Sequence, residues 1–462
     1  MEKEKNNRKK IITGIIIAVC ILLVAYLGMS FYFTNHFYFG SEINGISVSG
    51  ETVEEANEKI SSQIGAYKLE LQGRDNLDAE ITASDIGLQY NSTDKIQELK
   101  DSQNPFAWII HIFKAKNSEV TEMASYDKQK LDKYINELPY FKKKNIVEPK
   151  NVSFKYEDGQ YKVVDEVYGT KVNKETLYNE IVKAIASGRH TLNLEEANCY
   201  ENPKYTTKSP EVAQTKDKLD KYVKTNVTYT IGYNKVNLDG STINKWLEVN
   251  NDLNAIINEN KVRNYVTNLA KTYNTYGKTR DFKTTLGTVV KVPGGDYGWA
   301  ISIPNETQAL MEDIKNGETV KRDPKYSQTA AAYGIDDIGN TYVELDMTKQ
   351  HLWYYKDGVL VAEGDVVTGN ESKKWGTPVG TYRLKYKEKN AILKGDNYSS
   401  KVDYWMPFNG GIGLHDASWR NKFGGEIYKN SGSHGCVNAP HALAEKVFNN
   451  IEPNTPVVCY FE

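Results

Sequence analysis

Apolar residues run unbroken only once in this chain, from Ile11 to about Phe33; beyond that point apolar and polar positions alternate at helix or strand spacing. Roughly 23 residues at a rise of ~1.5 Å each are enough to cross a bilayer. Lys3, Lys5, Arg8, Lys9 and Lys10 precede the run. Positive charge on that side predicts a cytoplasmic tail (1–10), a transmembrane helix (11–33) and a single-pass protein with its remaining residues exported. The run is longer than the apolar part of a cleaved signal peptide and has no clear Ala-x-Ala site, which favours a retained anchor. Phe31, Tyr32, Phe33, Phe37 and Tyr38 are expected to form an aromatic belt at the outer interface.

Past the anchor, Asn44 to Gly50 reads as a turn and short strand, Thr52 to about Ile64 as a helix, and Tyr67–Leu71 and Ala79–Ile81 as strands. The sequence then repeats. Tyr168-Gly169 followed by a helical pattern ending at Gly188 matches Tyr297-Gly298 followed by one ending at Gly317, and each copy reaches a Pro-Lys-Tyr, at Pro203 and Pro324. Leu131, Tyr134 and Ile135 have counterparts in Val262, Tyr265 and Val266. Two tandem α+β modules are predicted, 42–210 and 211–330, with a hinge over Lys325 to Asn340. From Thr341 the texture changes to closely spaced strands, with one amphipathic helix near His441 to Asn450. The fold class is therefore α+β multidomain: an N-terminal transmembrane helix, two α+β modules and a C-terminal β-rich domain over 341–462.

A net charge of −2 over 462 residues offers no basic surplus for nucleic acid. The 32 tyrosines suit extended structure and contact with glycans or peptides. Of the four cysteines, Cys20 lies in the apolar run, and Cys199 and Cys459 fall in different predicted domains, so no disulfide between them is expected. Cys436 is a thiol retained in an exported chain.

Its neighbours supply a reason. Gly413-Leu414-His415-Asp416-Ala417-Ser418-Trp419 is followed after a loop by Ser431-Gly432-Ser433-His434-Gly435-Cys436-Val437-Asn438. A cysteine attacks as thiolate and needs an imidazole partner near neutral pH. His434, two residues earlier, would point the same way in an extended segment, and His415 can approach from a neighbouring strand with Asp416 orienting it. The N–H groups of Gly435 and Cys436 are candidate oxyanion donors. A zinc site would need wider ligand spacing than His434-x-Cys436 and a further Cys or His pair, so no metal or cofactor is expected.

Ser433-His434-Gly435-Cys436-Val437-Asn438, preceded by His415, resembles the signature of the YkuD-type L,D-transpeptidases. Tyr342-Val343-Glu344, Gln350 to Trp353, Val367 to Asn370, Thr377 to Tyr382 and Pro456 to Val458 extend the resemblance from about Thr341 to the C-terminus. The repeated modules, with Gly294 to Trp299 in the second, resemble the peptidoglycan-binding domains that precede this catalytic domain in Gram-positive enzymes.

The resemblance implies that Cys436 is the nucleophile and His415 the general base. Ser433, His434 and Gly435 would shape the site loop and oxyanion hole. Asn438 would hold the loop or contact substrate, Trp419 would lie beside the substrate, and Tyr404 and Trp405, between a lid hairpin and His415, would contact substrate or pack in the core. The implied partners are peptidoglycan stem peptides, a tetrapeptide donor and an acceptor amine, in 3→3 cross-linking, with β-lactams of the carbapenem class as inhibitors. Alternatives are an L,D-carboxypeptidase using water, or a non-catalytic wall-binding scaffold. NlpC/P60 and papain-like peptidases place the nucleophile before the histidine, the reverse of this order. His351, His441, His190 and His111 match no functional position.

Overall fold

The computed structural model describes residues 2–91, 94–112, 116–118, 120, 123–334, 336–395 and 398–462. They form two compact units, Met1–Ser153 with Val164–Ser209, and Phe154–Val163 with Pro210–Glu462.

In the first unit a helix spans Glu2–Asn35, and its apolar segment is unburied. Its end is built into the fold: Phe33 and Phe37 are buried, Phe37 in a core with Ile43, Val48, Ala56 and Ile60. Lys100 reaches across to donate to the carbonyls of Phe33 and Thr34 at 2.8 and 2.9 Å, a cation closing a helix C-terminus. This corrects the expected belt, because of its five members Phe33, Phe37 and Tyr38 are buried and Tyr32 is tied to the Gly50 carbonyl; Phe31 alone projects strongly. The helix Val53–Gly65 starts as anticipated, Thr52 and Glu55 capping each other's N–H groups.

Both modules use one plan. In the first, Lys68–Gln72 pairs antiparallel with Ala79–Thr82 and parallel with Thr191–Asn193, under helices Lys128–Glu137 and Lys174–Ala186. In the second, Asn226–Ile231 pairs antiparallel with Asn234–Leu238 and parallel with Thr319–Arg322, under Glu259–Tyr273 and Ile303–Asn316. Period-two alternation turns Val227, Tyr229 and Ile231 inward onto Val262, Val266, Leu310 and Ile314. The hairpin Phe154–Val163, inside the expected first module, packs in the second unit, with Tyr161 against Leu219 and Val223.

The stretch read as a hinge is instead a strap. Tyr326–Gln328 pairs with Ala300–Ile301, Trp299 donates to the Ala332 carbonyl at 2.7 Å, and buried Asp337 receives Arg280 at 2.7 and 2.8 Å. Arg280 and Asp337 are 3% and 0% exposed. Removing one partner strands a charge away from water, so Asp337→Ala is expected to destabilise the second unit by about 3–5 kcal/mol, read as a lower urea midpoint at unchanged slope.

Within the last domain the strands are β1 (Tyr342–Asp346), β2 (His351–Lys356), β3 (Val359–Asp365), β4 (Gly380–Arg383), β5 (Glu388–Gly395), β6 (Tyr398–Asn409), β7 (Ile412–Asp416), β8 (Val437–Ala439) and β9 (Pro456–Tyr460), with helices α1 (Ile427–Ser431) and α2 (His441–Asn450). One sheet has the order β3-β2-β1-β9-β4 and the other β5-β6-β7-β8. Leu345, Leu352, Tyr354, Met406, Leu414, Val437 and, from α2, Val447 share the core between them. The edge of β4 is covered by the second module's Gly294–Tyr297 loop, Tyr297 N–H donating to Thr381 at 3.1 Å and Asp296 pairing with Lys385. Gly295 (φ +86°) leaves no room for a Cβ, which would fall 1.9 Å from the Thr381 oxygen.

Candidate active site

β7 and β8 run parallel with His415 opposite Asn438 and Leu414 opposite Val437. Alternation puts Asn438 on the face of His415, and Cys436 immediately precedes β8. The ring of His415 is buried, 3% exposed. Its Nδ1 lies 2.8 Å from the Asp416 carbonyl oxygen, which can only accept, so the proton sits on Nδ1. Its Nε2 lies 3.1 Å from Asn438 Nδ2. Arg420 Nε donates to Asn438 Oδ1 at 3.0 Å, and because a guanidinium has no acceptor this fixes which end of the amide faces the imidazole. Two separate bonds thus select the same tautomer, with the lone pair on Nε2. Burial lowers the His415 pKa below its ordinary value, against a smaller opposing pull from its bond to the Asp416 backbone.

Cys436 is half-buried, and its thiol donates to the Gly411 carbonyl at 3.6 Å. Burial pushes the thiol pKa up, opposed by a hydrogen bond from the Gly413 backbone. Among the described residues no hydrogen bond joins Sγ to His415. Both shifts favour a neutral thiol and a neutral imidazole over a thiolate–imidazolium pair.

The loop before Cys436 is fastened from within. Ser433 Oγ donates to the Cys436 carbonyl at 2.5 Å and accepts from Gly435 N–H at 3.0 Å. Thr377 Oγ1 donates to the Gly435 carbonyl at 2.7 Å, and Asn438 and Ser433 exchange backbone bonds with Val367, Thr368 and Asn370. Gly435 has φ +121°, a conformation for which side-chain-bearing residues are poorly suited.

Several expectations need correcting. Residues 434–436 bend, and exposed His434 stacks on Trp375, centroids 4.3 Å apart. The Gly435 N–H, expected as an oxyanion donor, is spent on Ser433. The Asp416 carboxylate faces away from the ring, accepting the N–H groups of Asp403 and Tyr404 at 2.9 and 2.8 Å, and its backbone carbonyl does the orienting. Tyr404 turns into the core, its hydroxyl on Glu445 and its ring 5.2 Å from Phe448, so the structure does not bring it to the thiol. Trp405 is brought there: its ring centroid is 5.9 Å from that of His415, in the small cluster of Ala391 and Val402 against which Cys436 packs. Trp419 is half-exposed, 5.8 Å from His415.

Asp403, Asp416 and His441 place ligand-type atoms within 4.8 Å of one another, but His441 already pairs with Asp403 and the Asp416 carboxylate with backbone donors. That group fastens α2 to β6. Sequence reading missed Arg420, Thr377 and Trp375, whose roles depend on loop closure and have no spacing rule.

Arg420→Ala frees the Asn438 amide to flip and present its oxygen to Nε2, favouring the protonated ring. The expected result is about a tenfold lower kcat for acyl transfer, the worth of one charged hydrogen bond, and an acid limb of kcat/KM shifted to higher pH. Arg420→Lys, which replaces the planar fork on Asn438 and the Ser431 carbonyl with a single point donor, should rescue only part.

The L,D-transpeptidase catalytic domain model, YkuD, matches residues 340–459. A family described as "Putative peptidoglycan binding domain" matches twice, at 79–193 and 205–321. No curated protein matches the chain. The crystal structure of a cysteine-to-serine mutant of the Enterococcus faecium L,D-transpeptidase is 36% identical, the alignment covering 53% of this chain and 98% of that one, with a TM-score of 0.44. The NMR structure of the E. faecium catalytic domain acylated by ertapenem is 41% identical over 26% of this chain and 98% of that one, with a TM-score of 0.25. An L,D-transpeptidase from Mycobacterium tuberculosis is 23% identical over 26% of this chain and 57% of that one, TM-score 0.24. Between them the two family models account for residues 79 to 459 save two short gaps, and the chain belongs to the YkuD-type L,D-transpeptidases, with two peptidoglycan-binding domains ahead of its catalytic domain.

Proposed function

We propose that the chain forms 3→3 cross-links in peptidoglycan through a thioester on Cys436. The observation that carries this reading is the locked His415 tautomer, a base-form Nε2 on the strand paired with the one that follows Cys436. As a donor tetrapeptide enters, the thiol turns from the Gly411 carbonyl, the Asn438 N–H gives up its bond to Nε2, and the thiol passes its proton to that freed lone pair while Sγ attacks the carbonyl of the third stem residue. The C–N bond to the terminal D-Ala breaks, and His415 passes the proton to the departing amine. The side-chain amine of the third residue of a neighbouring stem then attacks the thioester, its proton returning through His415 to the cysteine sulfur. Trp405 and the β5–β6 hairpin limit water beside the sulfur, which favours amine over hydrolysis.

Carbapenems should acylate the same sulfur. The N-terminal helix serves as a retained anchor that holds the catalytic domain outside the cell facing the wall. Burial of Phe33 and Ser30 in the folded unit supports retention, because a signal peptide destined for removal has no need to complete a core. The protein is to be incubated with a disaccharide-tetrapeptide and the products sequenced by tandem mass spectrometry. A dimer lacking one D-Ala, linked between third residues, is expected; tripeptide alone means that water is the acceptor, and unchanged substrate means a scaffold.

A further inference from the structure

We infer that Pro105–Ile112 is a second membrane-contacting element, seated in the outer leaflet beside the N-terminal helix. The run Pro-Phe-Ala-Trp-Ile-Ile-His-Ile contains no Asp, Glu, Lys or Arg. It forms two short helical turns, Pro105–Ala107 and Trp108–His111. Phe106, Ile109, Ile110 and Ile112 project from it, 57%, 52%, 68% and 39% exposed. Four large apolar side chains within seven residues form a continuous patch of a kind that soluble surfaces seldom carry.

The rest of the segment is clamped to the helix. Trp108 lies against Tyr26 and Phe33, each at 6.0 Å between centroids, and the Tyr26 hydroxyl donates to the Phe106 carbonyl at 2.6 Å. Along the same face of the helix the patch is followed, one turn before Tyr26, by the exposed apolar residues Leu22 and Leu23. Depth follows from helix rise: Lys10 is the last charge on the inner side, and the twenty steps from Ile11 to Phe31 span ~30 Å, the thickness of the hydrocarbon layer. A segment docked between Tyr26 and Phe33 therefore lies at the outer boundary of that layer, and the occupant of its exposed face is lipid. Two contacts would hold the first unit at a fixed tilt, where a lone helix would let it swivel.

This inference rests on the anchor reading, and the two fail separately. The full chain carrying Cys20→Ser and Cys436→Ser is given a spin label at Ile110→Cys or, as a control on the polar helix Lys95–Asp101, at Glu98→Cys. It is reconstituted into phosphatidylcholine–phosphatidylglycerol vesicles with excess unlabelled protein, and only protein that floats with the vesicles is measured. The expected result is an oxygen-to-nickel-chelate collision ratio about tenfold higher at position 110 than at 98. Equal ratios at the two sites on floating protein would overturn the inference, as would a label at 110 shielded from both reagents, which would mean a protein partner. Failure to float would instead sink the anchor.

Discussion

Cys436→Ala is expected to abolish D-Ala release from a tetrapeptide donor and adduct formation with a carbapenem, by at least about 10⁴-fold, because it removes the sulfur that forms the acyl bond and the nearby Ser433 hydroxyl is already bonded to the Cys436 carbonyl and the Gly435 N–H. Among the cysteines, Cys199 and Cys459 are buried and Cys20 lies on the N-terminal helix. Burial holds the Cys199 thiol up at about 11, so it cannot stand in as a nucleophile. Fold should survive, since Cys436 contributes only a partly buried side chain to the cluster around Trp405. The check is a melting temperature within a few degrees of wild type alongside absent turnover; activity retained above that level would remove the cysteine from the mechanism.

His415→Ala is expected to lower acylation by about 10³-fold, in the range of a lost general base. The pH dependence separates a base from a mere structural support. His415 is shifted down, so its base form persists to lower pH than for a free imidazole. Cys436 is shifted up, so the neutral thiol persists to higher pH. The competent neutral pair thus spans a window widened at both ends, and kcat/KM for acylation should stay flat through neutrality and fall only below the ordinary imidazole value of ~6.5. Alkylation by iodoacetamide, which needs no base, should follow the thiolate and rise about tenfold per pH unit over the same range. An alkylation rate already high and flat at neutral pH would mean a preformed ion pair.

The candidate site was legible as a candidate because a nucleophilic thiol and an imidazole partner admit few substitutes, and Ser433 to Asn438 with His415 upstream carry both residue types. The module repeat was legible too, since period-two strands such as Asn226–Ile231 and helices such as Glu259–Tyr273 carry their inward faces in the sequence. Orientation was not. Tyr404 and Trp405 are neighbours of similar character, and which one faces His415 depends on the register of β6 against β7. Asp416 acts through its backbone because adjacent strand side chains oppose each other. An aromatic at position 33 or 37 reads alike whether it meets lipid or core. The Lys325 to Asn340 stretch has a hinge's composition, yet Arg280, distant in sequence, ties it down through Asp337.

The most direct test of the account is intact-protein mass spectrometry on the full chain, quenched in acid during turnover of a disaccharide-tetrapeptide. The account predicts an adduct equal to the donor less D-Ala, mapped to the peptide containing Cys436 and absent from Cys436→Ala. Cross-linked product formed with no such adduct, or formed equally well by Cys436→Ala, would contradict it.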